Sequence, residues 1–189
     1  TTYYLSAAPE PIRINCEYIY VDVVLSPDPA VLKHTNALAG LKEGGVFVIQ
    51  SERGTAVEAW GDIPAPFRKI ISDKNIRVFH IDGFKIAREE ASDPELMLRM
   101  QGIAFQGAFF RASPLMGAAG FTEEKLFAAI EVQLQHKFGT KGARVVQDNL
   151  RVVRRGYDET HEIPTAVIES QVEDKAKLIG VGTEPPLPV

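Results

Sequence analysis

The sequence has almost none of the residues with which small proteins build metal centres or disulfide frameworks. Its 189 residues include a single cysteine, Cys16, and four histidines. One thiol can form neither an internal disulfide nor a cubane iron–sulfur cluster, and so low a cysteine content is typical of a reducing compartment such as the cytoplasm. No histidine stands at metal-ligand spacing from another histidine, a cysteine or a carboxylate. We therefore expect a cytoplasmic chain that holds no metal or cluster by itself.

Excess positive charge and long apolar runs are missing as well. Lysine and arginine together number 21 against 25 acidic residues, which gives a formal net charge of −4 and argues against nucleic acid as a partner. The longest apolar stretches, such as 45–49 and 102–110, are much shorter than the ~20 residues of a membrane-spanning helix. With 45% hydrophobic and 24% charged residues, the composition is that of a globular domain without a membrane span.

Common catalytic and nucleotide-binding motifs do not occur. There is no G-x-S-x-G, S-x-x-K or Walker sequence, and no G-x-G-x-x-G follows a predicted strand. Cys16 has no basic neighbour that would activate its thiol. His80 falls in a predicted strand, and we interpret it as a buried structural histidine. The residues therefore favour a chain with no catalytic residue of its own.

One run of the sequence carries a local excess of positive charge. Between His136 and Arg144, three formal cations stand beside the start of a predicted helix, namely Lys137, Lys141 and Arg144. This pattern occurs at anion-binding helix N-termini. It also occurs where one helix ends, the chain turns and a solvated helix begins, and end-charge preferences favour this second interpretation.

Apolar, β-branched segments alternate with segments that carry helix caps. The run 18–25 (YIYVDVVL) has the composition of a strand covered on both faces, and Asp28 followed by Pro29 is typical of a helix start. Strands that alternate with helices predict βαβ units. We therefore expect an α/β fold with a doubly wound, Rossmann-like parallel sheet flanked by helices, and a helical C-terminal half. The predicted strands are 18–25, 46–50 and 76–81, and the predicted helices are 29–39, 66–72, 94–112, 122–138 and 143–155.

Polar residues follow the three predicted strands. Ligands of open parallel sheets bind at the carboxyl ends of the strands. A crevice there would bring together five side chains, Ser26, Asp28, Gln50, Ser51 and Asp82. Each of them also has a structural alternative, because Asp28 and Asp82 can cap helices and Ser51 can satisfy a turn. The pattern predicts a weak cofactor- or ligand-binding crevice without identifying a reaction.

The predicted helix 94–112 has no polar stripe that would face water. A helix of this kind is either enclosed by its own chain or in contact with another subunit. For the second case we expect an apolar partner contact near the end of the helix, formed by Phe109, Phe110, Leu115 and Met116.

Five short segments occur in an order found in one known family. Residues 21–29 (VDVVLSPDP) and 40–51 (GLKEGGVFVIQS) contain a strand, Asp-Pro, helix, Leu-Lys-x-Gly-Gly, strand pattern. Segments at 79–89 (FHIDGFKIARE), 106–113 (QGAFFRAS) and 138–149 (FGTKGARVVQDN) follow it. Together they resemble the gamma subunit or domain of 2-oxoacid:acceptor oxidoreductases, especially its pyruvate:ferredoxin oxidoreductase version.

The resemblance implies one component of a large enzyme. In the resembled enzymes, thiamine diphosphate with magnesium decarboxylates a 2-oxoacid such as pyruvate, iron–sulfur clusters carry electrons away, and coenzyme A takes the acyl group. The implied partners are thiamine-binding alpha- and beta-type subunits or domains and a ferredoxin-type delta component. This chain would be a structural part near the active site and would bind none of these cofactors alone.

The resemblance also bears on the extent of the domain. The family domain begins with a strand, a G-x-G-G-x-G loop and later an R-G-G segment, none of which occurs here, and Gln50 stands where many members have Asn. We expect an N-terminally incomplete gamma-type domain over 1–157 and a C-terminal tail or linker over 158–189. Two alternatives stay open. One is an independent doubly wound nucleotide-binding domain, and the other is an interaction module with a Pro-rich peptide ligand at its end.

Overall fold

The computed structural model describes residues 3, 5, 6, 11, 19–91 and 94–170. Within them, one sheet is covered by helices on both faces. Short 3₁₀ turns over Pro94–Leu96 and Gly139–Lys141 precede two of the helices. The elements in chain order are β1 (Val21–Ser26), α1 (Val31–His34), β2 (Leu41–Gln50), α2 (Ala56–Asp62), α3 (Ala65–Asp73), β3 (Arg77–Ile81), α4 (Gly83–Glu90), α5 (Met97–Ala112), α6 (Leu115–Ala118), α7 (Glu123–Phe138), α8 (Ala143–Asp158) and β4 (His161–Glu162).

The sheet is mostly parallel. Its order among the described strands is β1-β2-β3-β4; the first three run parallel, and the short β4 pairs antiparallel with β3. The register places Val24 beside Phe47 and Val48 beside Phe79. Because the carboxyl ends of parallel strands share one edge, the residues that follow β1, β2 and β3 come together there. The predicted α/β class with a parallel sheet is confirmed.

Residues of β2 alternate between two hydrophobic cores. Val46 and Val48 pack with α4, α5, α7 and α8, whereas Phe47 and Ile49 pack with α1, α2 and α3. The alternation follows from the pleat of the strand, which points successive side chains to opposite faces. A strand covered on both faces needs an uninterrupted apolar sequence, which this segment has.

The helix predicted over 29–39 is wrong in length, because only the single turn α1 is helical. Thr35 has an extended backbone (φ −152°, ψ 159°). The backbone N–H of Leu38 donates to the side-chain oxygen of Asn36 at 3.2 Å. A β-branched residue followed by an asparagine turn thus offers the chain an alternative to the helix, and the Asp28-Pro29 start signal does not outweigh it.

The other predicted elements are present with shifted ends. Strand β2 begins at Leu41, earlier than predicted, with an irregularity in its pairing between Val21 and Val23. Helix α8 runs through Gly156, where the sequence suggests an end, because this glycine packs against α5 instead of capping the helix. Helices α2, α4 and α6 lie outside the predicted set, and so does the short strand β4, which falls within the predicted tail 158–189. Most of the predicted C-terminal tail, from 171 onward, lies outside the described residues.

The described helices do not meet the requirements of a membrane span. None of them combines the necessary length with sufficient apolar character.

Candidate functional site

A cavity of about 420 Å³ opens at the carboxyl-end edge of the sheet. Gln50 and Ser51, at the end of β2, line it. Its other walls come from α1, α2 and the loops beside them, and its charged lining consists of Lys33, Glu52, Arg53 and Asp62. Of the five residues predicted to form a crevice, two, Gln50 and Ser51, line this cavity, which is centred on the end of β2 and extends toward α2.

The end of β1 supplies a turn instead of a cavity wall. The hydroxyl of Ser26 donates to the carbonyl oxygen of Asp28 at 3.0 Å, and the N–H of Ala30 donates to Asp28 Oδ1 at 2.8 Å. The side-chain amide of Gln101 on α5 donates to the carbonyl of Pro27 at 2.7 Å and holds this turn in place. Ser26 and Asp28 adjoin the cavity through Pro29 and have structural partners of their own.

Gln50 and Asp82 meet at the start of α4. Gln50 is 1% exposed; its Nε2 donates to Asp82 Oδ1 at 3.1 Å, and its Oε1 accepts from the backbone N–H of Gly83 at 2.9 Å. Asp82 Oδ1 also accepts from the N–H of Lys85 at 2.9 Å. The two side chains thus satisfy backbone donors of the first turn of α4, which would otherwise lack partners. They form a clamp between β2 and α4.

The charged groups of the cavity wall are the residues that sequence reasoning missed. Arg53 donates to Asp62 through Nε at 2.6 Å and through a terminal nitrogen at 3.0 Å, a bidentate pair that joins the loop after β2 to the end of α2. The hydrogen bond and charge of Asp62 raise the pKa of Arg53. Arg53 lies three residues after the end of the predicted strand 46–50. Because binding residues are often found on the loops that follow strands, this position could have indicated Arg53 from the sequence.

The described polar groups at the cavity are available for hydrogen bonding and charge pairing. The hydroxyl of Ser51 accepts from the backbone N–H of Arg53 at 3.2 Å, and among the described residues no histidine or carboxylate hydrogen-bonds it. Nor does this part of the chain contain three histidine, cysteine or acidic side chains placed to hold a metal ion. Lys33 and the Arg53–Asp62 pair can orient a polar ligand without activating a nucleophile.

The structural interpretation of His80 agrees with its position. Its side chain is buried in β3, and its ring centroid lies 5.9 Å from that of His161 on β4. Burial lowers the pKa of His80, and repulsion from His161 lowers it further. Both effects favour the neutral ring, as expected for a histidine inside a sheet.

The predicted partner contact is only partly enclosed by the chain. Phe109 and Phe110 are half-buried and meet edge to face at 5.3 Å, and Phe110 and Met116 pack against the core. Leu115 is 40% exposed. Helices α4 and α8 cover much of α5, whereas Leu98, Gly102 and Gln106 lie on an exposed face of the helix. The contact at these four residues stays a prediction.

Fold and cavity together define a class of protein. The chain is an α/β domain with a mostly parallel sheet covered by helices on both faces and a cavity at the carboxyl ends of its parallel strands. A family model described as pyruvate ferredoxin/flavodoxin oxidoreductase matches residues 1–159. The chain therefore belongs to this family, which confirms the resemblance seen in its motifs.

Curated relatives are much longer than this chain. It is 28% identical to pyruvate dehydrogenase (NADP(+)), mitochondrial, from Euglena gracilis, over 81% of this chain and 8% of that protein. It is 23% identical to pyruvate:ferredoxin oxidoreductase from Moorella thermoacetica, over 93% of this chain and 14% of that protein. Among solved structures, pyruvate oxidoreductase subunit PORC from Thermotoga maritima is 22% identical with a TM-score of 0.48, covering 76% of this chain and 65% of that one.

The clamp formed by Gln50 predicts a measurable loss of stability. Replacing Gln50 by leucine leaves the buried N–H of Gly83 without its acceptor and removes one donor from Asp82. We expect Gln50→Leu to lower the free energy of unfolding by about 1–3 kcal/mol in urea denaturation. Ser51→Ala, which removes one hydrogen bond at the same cavity, is the control and should cost less than ~1 kcal/mol. Equal losses in the two variants would show that Gln50 is not a clamp.

Proposed function

We propose that the chain is the gamma-type component of a multisubunit 2-oxoacid:ferredoxin or flavodoxin oxidoreductase. The observation that carries this proposal is the family match over residues 1–159. The cavity supports it, because Lys33 and the Arg53–Asp62 pair provide a binding surface while no activated nucleophile is present among the described residues. In this proposal the chain is a structural and binding component, and its single cysteine supports a location in the cytoplasm, a reducing compartment.

The proposed reaction is the oxidative decarboxylation of a 2-oxoacid such as pyruvate to an acyl-CoA. The complex would use thiamine diphosphate, magnesium, iron–sulfur clusters and coenzyme A. The residues of this chain do not fit the metal-containing groups, since Cys16 is its one cysteine and the described acidic and histidine side chains form no metal-binding set. Those groups would be held by other components.

The proposed partners are thiamine-binding alpha- and beta-type subunits or domains and a ferredoxin-type delta component. The chain spans 8–14% of the length of two curated relatives, so most of their sequence has no counterpart in it. A domain of this size can contribute to such an enzyme by assembling with the remaining parts. The predicted contact at Phe109, Phe110, Leu115 and Met116 is one surface available for that assembly.

Reconstitution tests the proposal directly. The chain is co-expressed with candidate thiamine-binding and ferredoxin-type polypeptides from its own source organism, and pyruvate-dependent reduction of a viologen dye is measured. We expect a stable complex whose activity falls at least tenfold when this chain is omitted, and no activity from the chain alone. A monomer that binds a nucleotide and neither assembles nor supports dye reduction would contradict the proposal and favour an independent nucleotide-binding domain.

A further inference from the structure

Three positively charged side chains surround the ring of Phe138. The Cζ of Arg99 lies 4.9 Å from the ring centroid, the Nζ of Lys137 5.4 Å and the Nζ of Lys141 5.9 Å. They come from three separate elements, namely α5, the last turn of α7 and the 3₁₀ turn that follows it. We call these four residues the Phe138 patch. The ring is buried beneath the cations, which are themselves exposed.

The cations of the Phe138 patch differ from the arginines of α8 in their partners. Arg151 pairs with Glu90, Arg154 with Glu123, and Arg155 with three glutamates. Across 19–91 and 94–170, by contrast, no ion pair joins a cation of the Phe138 patch to a carboxylate. In a chain of net charge −4, this is a local concentration of positive charge that the described residues leave without an ion-pair partner.

Exposed apolar side chains adjoin the Phe138 patch. Leu98, the residue before Arg99 in the first turn of α5, is 77% exposed, and Met97 is also exposed. A small anion would neutralise the cations but would leave Leu98 in water. A protein surface with carboxylates around an apolar side chain complements both features, since such interfaces combine apolar contact with matched charge. The arrangement therefore favours a protein partner over a free anion.

We propose that the Phe138 patch, with Leu98, docks an acidic surface on another component of the oxidoreductase complex. The inference rests on the proposed function, because it takes the partner from the complex. The curated relatives carry the similar region within far longer chains, so a domain of this kind has much additional protein to contact. Glutamate and aspartate side chains of the partner pair with Arg99, Lys137 and Lys141, and an apolar partner residue covers Leu98.

Zero-length cross-linking detects this contact in the assembled complex. A carbodiimide joins a lysine amine to a carboxylate only where the two touch, and mass spectrometry identifies the linked residues. We expect Lys137 and Lys141 to be joined to aspartate or glutamate of another component, and their acetylation to be at least tenfold slower in the complex than in the isolated chain. Lys69 on α3, which pairs with Asp73 of its own helix, is the control and should be acetylated at the same rate in both.

Charge reversal gives a second, independent measurement. The double variant Lys137→Glu, Lys141→Glu should weaken binding to the other components at least tenfold, and the loss should shrink as salt concentration rises. The control variant Lys69→Glu reverses an exposed charge on α3 in the same way. It should bind the other components as tightly as the unchanged chain does. Because all these lysines are exposed, the melting temperature of each variant should stay near that of the unchanged chain.

The possible outcomes separate this proposal from the proposed function. A complex that assembles while Lys137 and Lys141 stay fully reactive, or while the double variant binds normally, overturns the docking surface and leaves the function standing. Failure of the unchanged chain to assemble overturns both. Protection of the two lysines in the isolated chain by inorganic pyrophosphate would assign the Phe138 patch to a small anion instead and would also overturn the proposal.

Discussion

Replacing Gly107 by alanine is expected to lower the free energy of unfolding by about 3 kcal/mol or more. Helices α5 and α8 cross here with their backbones in contact. A Cβ on Gly107 would lie 2.1 Å from the carbonyl oxygen of Val153, and one on Gly156 would lie 2.0 Å from that of Ala104. Neither backbone can yield as a flexible side chain would, so the helices must separate and expose the core between them. Urea denaturation followed by circular dichroism measures the loss.

Gly102 on the same helix is the matched control for this prediction. A Cβ at Gly102 would meet nothing within 4 Å, and its backbone is helical. Gly102→Ala should therefore stabilise the chain by about 0.5–1 kcal/mol through helix propensity. The two substitutions make the same chemical change but should change the free energy of unfolding in opposite directions. If Gly107→Ala were as harmless as Gly102→Ala, the helices would not be in backbone contact.

Trp60→Ala is the second large effect that we expect. The Trp60 side chain is fully buried between α2 and the sheet, next to Ala59, which lines the cavity. Its removal should lower the free energy of unfolding by about 3–5 kcal/mol, because the surrounding apolar side chains can only partly fill the space. Trp60 is the one tryptophan of the chain, so circular dichroism replaces intrinsic fluorescence as the measurement.

Two further variants define the cause of the Trp60 effect. Trp60→Phe keeps an aromatic ring and removes the indole N–H, which is buried and has no hydrogen-bond partner among the described residues, so it should cost much less than Trp60→Ala. Val57→Ala, on the same helix at a position 52% exposed, should change stability by no more than ~0.5 kcal/mol. A Trp60→Ala variant as stable as Val57→Ala would show that α2 does not pack on the sheet as described.

Local sequence patterns were sufficient for the fold class and for several element ends. The apolar run 46–49 was predicted to form a strand, and it lies in β2 between two cores. The run 18–25, predicted to be a strand covered on both faces, instead forms the partly exposed strand β1 at the edge of the described sheet. The predicted helix 122–138 begins at Thr122, a residue type that favours helix starts, and the side chain of Thr122 accepts from the N–H of Lys125 at 3.4 Å at the start of α7. Asp82 likewise accepts from Lys85. Caps and alternation act over a few residues, which is why the sequence alone shows them.

Only the tertiary structure decided which of these local signals is used and which distant residues meet. A glycine such as Gly156 often marks the end of a helix. Helix α8 nevertheless continues through Gly156, because α5 passes too close there for any side chain. Arg53 meets Asp62 at the cavity, and Arg99 reaches the Phe138 ring from another helix. The sequence by itself determined an α/β chain of the pyruvate ferredoxin/flavodoxin oxidoreductase family. The contacts of its cavity and its cationic surface depend on how whole elements pack, which no local pattern encodes.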